Sequence, residues 1–289
     1  MAPLVEEAEY GITFLKIIGV SETNEPSGFL FRSEEYINNL FNYLMKSPHP
    51  VLLRRFFFSQ SVRDSLKKKL RFKGYLSIRQ ITGSFYLPVK SDWQTFYYRI
   101  SSKRRYDHRR ALKRAEAIGS LSVKYISPEI NELDEYLALA YRIEAAGWKG
   151  RNHTAILSRK NLHDFLTLYL REACQQKILK LVFLFIGNQP VSMLIGLEYD
   201  RKFWVLKIGY DDTFARCSPG MLLMYQVLEK SFQQGLESFE FLGSTEDWIL
   251  VWNPALHPYF SLVFFPWSLK VVIQFIRLFI RRHINKSIN

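Results

Sequence analysis

Residues Asp211 to Met221 read D-D-T-F-A-R-C-S-P-G-M, residue types that suit the binding of an anion at the start of a helix. Ser218 is a preferred N-cap, Pro219 suits the first helical position, and Gly220 keeps side-chain atoms away from an approaching ligand. The first-turn amides of Gly220, Met221 and Leu222 are then expected to point out unpaired at the positive end of the helix dipole. Such a turn binds phosphate or pyrophosphate, although a capped helix is the commoner use of these residues. Three neighbours extend the chemistry. Arg216, two residues before the cap, has the fork that pairs with a phosphate. Tyr210 and Asp211 offer a phenol and a carboxylate at the end of the preceding strand. The loop Glu144-Ala145-Ala146-Gly147-Trp148-Lys149-Gly150 adds a carboxylate, an indole and an amine.

Other chemistries find less support. His108, His153, His163 and His257 are scattered without metal-ligand spacing, so no metal site is expected. Cys217 beside the helix start is either a thiol with a lowered pKa or a small buried residue. Only two cysteines are present, Cys174 and Cys217, which excludes a disulfide framework and makes a reducing, cytoplasmic compartment the expectation. Met1 to Tyr10 carries Glu6, Glu7 and Glu9 and does not read as a signal peptide.

Lys and Arg number 40 against 27 Asp and Glu, a net charge of +13. The excess is confined to two runs. Arg54 to Lys73 holds eight cations against Asp64, and Arg99 to Arg114 holds eight against Asp107, so each nets about +7. In the second run Arg105, Arg109 and Lys113 recur every four residues, the spacing of one helix face. An anionic partner is implied: a phosphorylated ligand, a membrane surface or a nucleic acid. No zinc-finger spacing, RNA-binding aromatic signature or heptad-linked basic region favours the last. Both runs lie well before the S-P-G turn, which directs them toward an acceptor or a membrane rather than toward the turn's own ligand.

The elements that must carry these residues alternate. With 48% hydrophobic residues the chain can bury a large core, which rules out disorder. Strands are expected at 11–19, 51–58 and 75–81, and helices at 34–45, 62–70, near Trp93 and through the second basic run. Beyond them come a strand at 121–126 and helices from Pro128 to Glu144 and Arg159 to Cys174. The segments 178–186, 190–199 and 202–210 have hairpin turns between them and predict an antiparallel meander. A helix from Pro219 to Gln234 stops at Gly235, and 238–242 is a further strand. Phe260 to Ile280 approaches the length of a membrane span but is split by Pro266. Lys270, Gln274 and Arg277 form a polar stripe, so the helix 267–282 reads as interfacial, with membrane contact through 267–284, or as packed on a sheet or second subunit.

Four segments in order, S-K-R-R-Y-D-H-R-R-A from Ser102, E-A-A-G-W-K-G from Glu144, K-I-G-Y-D to S-P-G-M-L-L from Lys207 to Leu223, and F-L-G-S-T-E-D-W from Phe241, carry a resemblance. Together they resemble the GNAT-related acetyltransferases of the CelD-like, cellulose and exopolysaccharide biosynthesis group, distant relatives of the FemABX aminoacyltransferases. The resemblance implies an α/β (α+β) acyl-CoA N-acyltransferase fold, a mixed, mostly antiparallel sheet flanked by helices. Residues 1–118 would be a reduced tandem GNAT-like half, 119–258 the acyltransferase core and 259–289 a basic amphipathic segment. It implies that Arg216, Ser218, Pro219, Gly220, Met221 and Leu222 hold acetyl-CoA or another acyl-CoA, and that Trp148, Lys149, Glu246 and Trp248 line the acceptor side. Acyl transfer needs a base, an acid and an oxyanion donor; Glu144 and Asp211 are the candidate bases and Tyr210 the candidate acid. The expected acceptor is an amine or hydroxyl of an envelope or polysaccharide precursor, with a homodimer and peripheral membrane contact as further expectations. An aminoacyl-tRNA donor is the alternative. A non-catalytic binding protein is a third reading, since Ile249 stands where the family pattern has lysine.

Overall fold

Val182, Leu184 and Ile186 point into one buried cluster while Leu179, Leu181 and Phe183 point into another, so the strand they share is covered on both faces. A strand of this kind needs helices on either side of its sheet. The computed structural model describes residues 2–9, 11–20, 25–30, 32–33, 35–44, 46–268, 271–273 and 276. Along the chain these form β1 (Leu4–Glu9), β2 (Ile12–Ile17), α1 (Glu35–Leu44), β3 (Val51–Phe56), α2 (Gln60–Leu70), β4 (Gly74–Pro88), α3 (Trp93–Arg99), α4 (Ser102–Glu116) and β5 (Leu121–Ile126). They continue as α5 (Leu133–Ala145), α6 (Trp148–Arg151), α7 (Lys160–Gln175), β6 (Leu179–Ile186), β7 (Gln189–Tyr199), β8 (Lys202–Tyr210), α8 (Pro219–Gln233), β9 (Ser238–Leu242) and β10 (Ala255–Pro266). Short 3-10 turns cover Ile156–Ser158, Asp212–Cys217 and Asp247–Trp252.

The chain divides into two compact units, one of residues 1–84 with 257–289 and one of residues 85–256. In the second unit the strand order is β4-β9-β8-β7-β6-β5, antiparallel except for the β8–β9 pair. The expected meander is present as β6, β7 and β8. Its second turn, Asp200-Arg201, takes positive φ at both residues, as a two-residue hairpin loop requires. Helices α3, α4 and α8 cover one face through Phe96, Ala111, Ala115, Leu223 and Leu228, and α5 and α7 cover the other through Leu137, Ile143, Leu166 and Leu170. In the first unit the order is β1-β2-β3-β10-β4, with β2–β3 parallel and β1–β2 and β3–β10 antiparallel. There α1 and α2 pack Ile37, Phe41, Leu66 and Leu70 on Leu53, Leu262 and Phe264.

Several expectations change. The basic helix lies within the second compact unit, 85–256: Phe96, Ile100, Ala111 and Ala115 are buried in the same core as Leu223 and Phe239. The first part of the 260–280 stretch, for which the sequence predicts no element, is strand β10, in which Phe260, Leu262, Phe264 and Phe265 are buried. Pro266, expected to split the stretch, ends that strand. Most of the expected 267–282 helix lies outside the described residues, of which 271–273 and 276 are helical. The helix expected from Pro128 begins only at Leu133, and the strand 75–81 runs on to Pro88.

The basic helix α4 is held by its ring contacts. His108 stacks on Tyr225 of α8, centroids 3.7 Å apart and ring planes nearly parallel, while Nδ1 lies 3.2 Å from the Tyr97 hydroxyl. Burial, with Arg109 beside it, pushes the His108 pKa down to about 4, so the ring is neutral in its stack. Trp252 meets the same Tyr225 edge-on at 4.6 Å. One tyrosine thus ties α4 and the 247–252 turn to α8.

Candidate active site

The site is built around a break in the sheet. Strands β8 and β9 run parallel and pair over only three residues, Lys202–Trp204 against Ser238–Glu240. Beyond Trp204 a bulge in β8, opposite Ile195 and Gly196 of β7, shifts the register and turns the later residues over. Trp204 before it and the bulged Leu206 face α5 and α7; after it, Gly209 faces α5 and Ile208 faces the α8 side. Asp211 donates its amide to Val191, so the alternation of an antiparallel ladder turns the Ile208 and Tyr210 carbonyls away from β7, toward the β9 side.

The loop after α5 occupies these carbonyls. Lys149 Nζ donates to the Ile208 carbonyl at 3.0 Å and forms an ion pair with Glu144 Oε1 at 3.2 Å. Glu144 is 2% exposed, and its Oε2 accepts the Ile156 amide at 2.9 Å. The buried carboxylate therefore carries two compensating donors, as burial demands. The loop is drawn in tightly: a Cβ on Gly147 would stand 2.7 Å from the Tyr210 carbonyl, and one on Gly209 would stand 2.8 Å from Glu144 Cα. Asp212, which pairs with Arg151 and donates its amide to Ala146, fixes the far end.

At the head of α8 the expected details need correction. Ser218 sits at the N-cap but in the left-handed region, φ 49° and ψ 53°, and its side chain makes no capping bond. The Met221 and Leu222 amides both turn onto the Ser218 carbonyl, at 3.0 and 3.1 Å. Of the three amides expected to be open, Gly220 alone has no acceptor within the chain among the described residues. The Tyr210 ring packs on Gly220, close enough that a Cβ there would lie 3.2 Å from it. Pro219 and Leu222 are buried; Met221 is half-buried and joins the edge of the core.

Asp211 spends Oδ1 on the Thr213 amide and hydroxyl, capping the 212–217 turn. Arg216 is exposed, and its carbonyl accepts Arg114 Nη1 of α4 at 3.0 Å. This corrects, for the second basic run alone, the expectation that the basic runs lie away from the turn: α4 packs on both α8 and the 212–217 turn, and its Arg114 reaches that turn. The sequence carries no signal for that approach, which depends on the His108–Tyr225 stack. Trp148 is half exposed. Glu246 and Trp248 bond to each other at 2.7 Å beyond β9, with Trp248 edge-on to Phe241. Ile249 is 2% exposed within the core, so its packing calls for an apolar side chain. Cys217 is likewise buried.

The structure thus gathers Glu144, Lys149, Tyr210, Asp211 and Gly220 around the β8 end, with Arg114 and Arg216 at the rim. Among solved structures the chain is similar to a conserved protein of unknown function from Bacteroides thetaiotaomicron, with TM-score 0.57, 11% identity, and 80% of this chain and 75% of that one covered. It is similar to FemX, with TM-score 0.57, 12% identity and coverage of 89% and 82%. A third likeness is to the C-terminal domain of a protein named as a lysylphosphatidylglycerol synthetase from Agrobacterium fabrum, with TM-score 0.53, 10% identity and coverage of 83% and 75%. Among curated proteins none matches. The model of the acetyltransferase (GNAT) domain family matches residues 102–248, from the first residue of α4 to Trp248. That span holds the meander, the β8–β9 break and α8, and is just over half of the chain. The chain belongs to the acetyltransferase (GNAT) domain family.

Proposed function

We propose that the protein is an acyl-CoA-dependent acyltransferase, of the CelD-like group, that moves an acetyl group to an amine or hydroxyl of an envelope or polysaccharide precursor. The observation that carries this reading is the early parting of β8 and β9 beside the open Gly220 amide. An elongated thioester arm fits a gap between two parallel strands, and a diphosphate fits the positive end of α8. Arg114 and Arg216 at the rim add charge of the right sign.

When bound, the thioester supplies the electrophilic carbon: the acceptor's bond to it forms, the carbon–sulfur bond breaks, one proton leaves the acceptor and one reaches the thiolate. Tyr210, packed on Gly220, is our proton donor to sulfur. Asp211 Oδ2, the oxygen its cap leaves unused, is our base for the acceptor. Glu144 is engaged by Lys149 and Ile156, which suits a positioning residue better than a base; with Lys149 it braces the W-K-G loop against β8.

The likeness to FemX keeps an aminoacyl-tRNA donor as the second reading, favoured by the cations of α4. Calorimetric titration of the chain with acetyl-CoA and, separately, with aminoacyl-tRNA tests the choice. Saturable heat with acetyl-CoA alone is the expected result; saturable heat with tRNA alone supports the second reading, and heat with neither removes both.

A further inference from the structure

The groove of about 580 Å³ between the end of α1, the α2–β4 turn and the end of β10 has no part in the acyl-transfer reading. Its walls carry Lys46, Phe72, Lys73 and Trp267. Phe72 is 80% exposed and Trp267 60%, and Tyr43, one turn before Lys46, is 74% exposed. Large apolar side chains so far out in water have no reason in the fold, since their removal costs no core packing. The backbone around them is fixed: the Trp267 amide donates to the Lys73 carbonyl at 3.0 Å, and Lys73 donates to Leu70 at the end of α2. The display is therefore held in place by β10 and α2.

The surrounding charge is of one sign. The last turn of α2 carries Lys67, Lys68 and Lys69, all exposed, and Arg71 lies over the Phe72 ring at 5.2 Å. With Lys46 and Lys73 this makes six cations. The one carboxylate of α2, Asp64, lies a turn before the lysines and is engaged by Gln60. Helix-end lysines complement the dipole of α2, but that accounts only for those of its last turn. Further along the chain, Ile273 and Ile276 are also exposed.

We propose that this face docks on a bilayer rich in acidic phospholipid, with Phe72 and Trp267 entering the headgroup layer and the lysines lying on its anionic surface. The choice rests on charge complementarity together with residue type. Trp beside Lys is the pairing of a membrane interface, where the indole sits at headgroup depth and lysine stems reach back to the phosphates. Stable attachment takes two signals, and both are present here: inserted rings and a polybasic cluster. A nucleic acid would meet the same cations, so it serves as the competing outcome. This inference is independent of the acyl-transfer reading.

The test is flotation of the full chain with phosphatidylcholine vesicles and with mixed phosphatidylcholine–phosphatidylglycerol vesicles, beside its retention on immobilised RNA. The chain is expected to float with the acidic vesicles only, and to be released by salt. F72S/W267S and K46E/K73E should each weaken that partitioning by at least about tenfold, with unchanged melting temperature because all four side chains are exposed. The proposal is overturned by no flotation on acidic vesicles, by partitioning indifferent to both double variants, or by tighter retention on RNA.

Discussion

Replacing Gly150 by alanine should lower the stability of the second unit by about 3 kcal/mol, the upper end of what overpacking costs, and its melting temperature by roughly 6–12 °C. A Cβ at Gly150 would stand 1.9 Å from the carbonyl oxygen of Ala145, at the end of α5. That oxygen belongs to backbone, so no rotamer change relieves the overlap and the 147–151 turn itself has to move. The turn is closed by hydrogen bonds that leave little slack: Gly150 and Asn152 donate to Gly147 and Trp148, His153 to Gly150, and Thr154 and Ala155 to Lys149. Displacing it also pulls Lys149 from Glu144, leaving a carboxylate of 2% exposure short of one donor. Calorimetry of Gly150→Ala beside Gly28→Ala, where nothing lies within 4 Å, checks the account. Equal melting temperatures for the two variants would contradict the close approach of the W-K-G loop to α5.

Gly220→Val should weaken acetyl-CoA binding about a hundredfold, some 2.7 kcal/mol, with little change in melting temperature. Its Cβ would come 3.2 Å from the Tyr210 ring, tighter than ordinary contact, and its methyl groups would screen the open amide of the α8 head. The fold has no such objection: valine is a better helix residue than glycine by a few tenths of a kcal/mol, which offsets the small shift of the ring. The separation of the two readouts carries the meaning. Binding lost together with stability would indicate a damaged α8, whereas binding lost alone marks Gly220 as part of a ligand site. Affinity and melting temperature both unchanged would remove Gly220 from that site.

The sequence makes some of this legible. The meander, α8 and the W-K-G loop follow from hairpin turns, an N1 proline and a stop glycine, all local signals. The bulge at Leu206 is not local: it is a disagreement in length between β7 and β8 that appears only when the strands pair. The parting of β8 and β9 is hidden for the same reason, since β9 lies across α8 in sequence. Ser218 looked like a capping serine because its type and position suit one, but a left-handed backbone turns its hydroxyl away from the first-turn amides. Strand β10 was masked by composition: Phe260 to Pro266 is as apolar as a membrane segment, and a short apolar run does not reveal whether strand or helix buries it. The place of α4 beside the turn depends on His108 finding Tyr225, two rings far apart in the chain with no shared motif.

An acyl-CoA is expected to lie against the head of α8, between β8 and β9. The most direct measurement is the amide resonance of Gly220 in a nitrogen-15 labelled chain during titration with acetyl-CoA. The account predicts that the Gly220 cross-peak moves progressively to a saturating position, with Tyr210 following. A Gly220 resonance that stays in place while acetyl-CoA saturates the protein would contradict it.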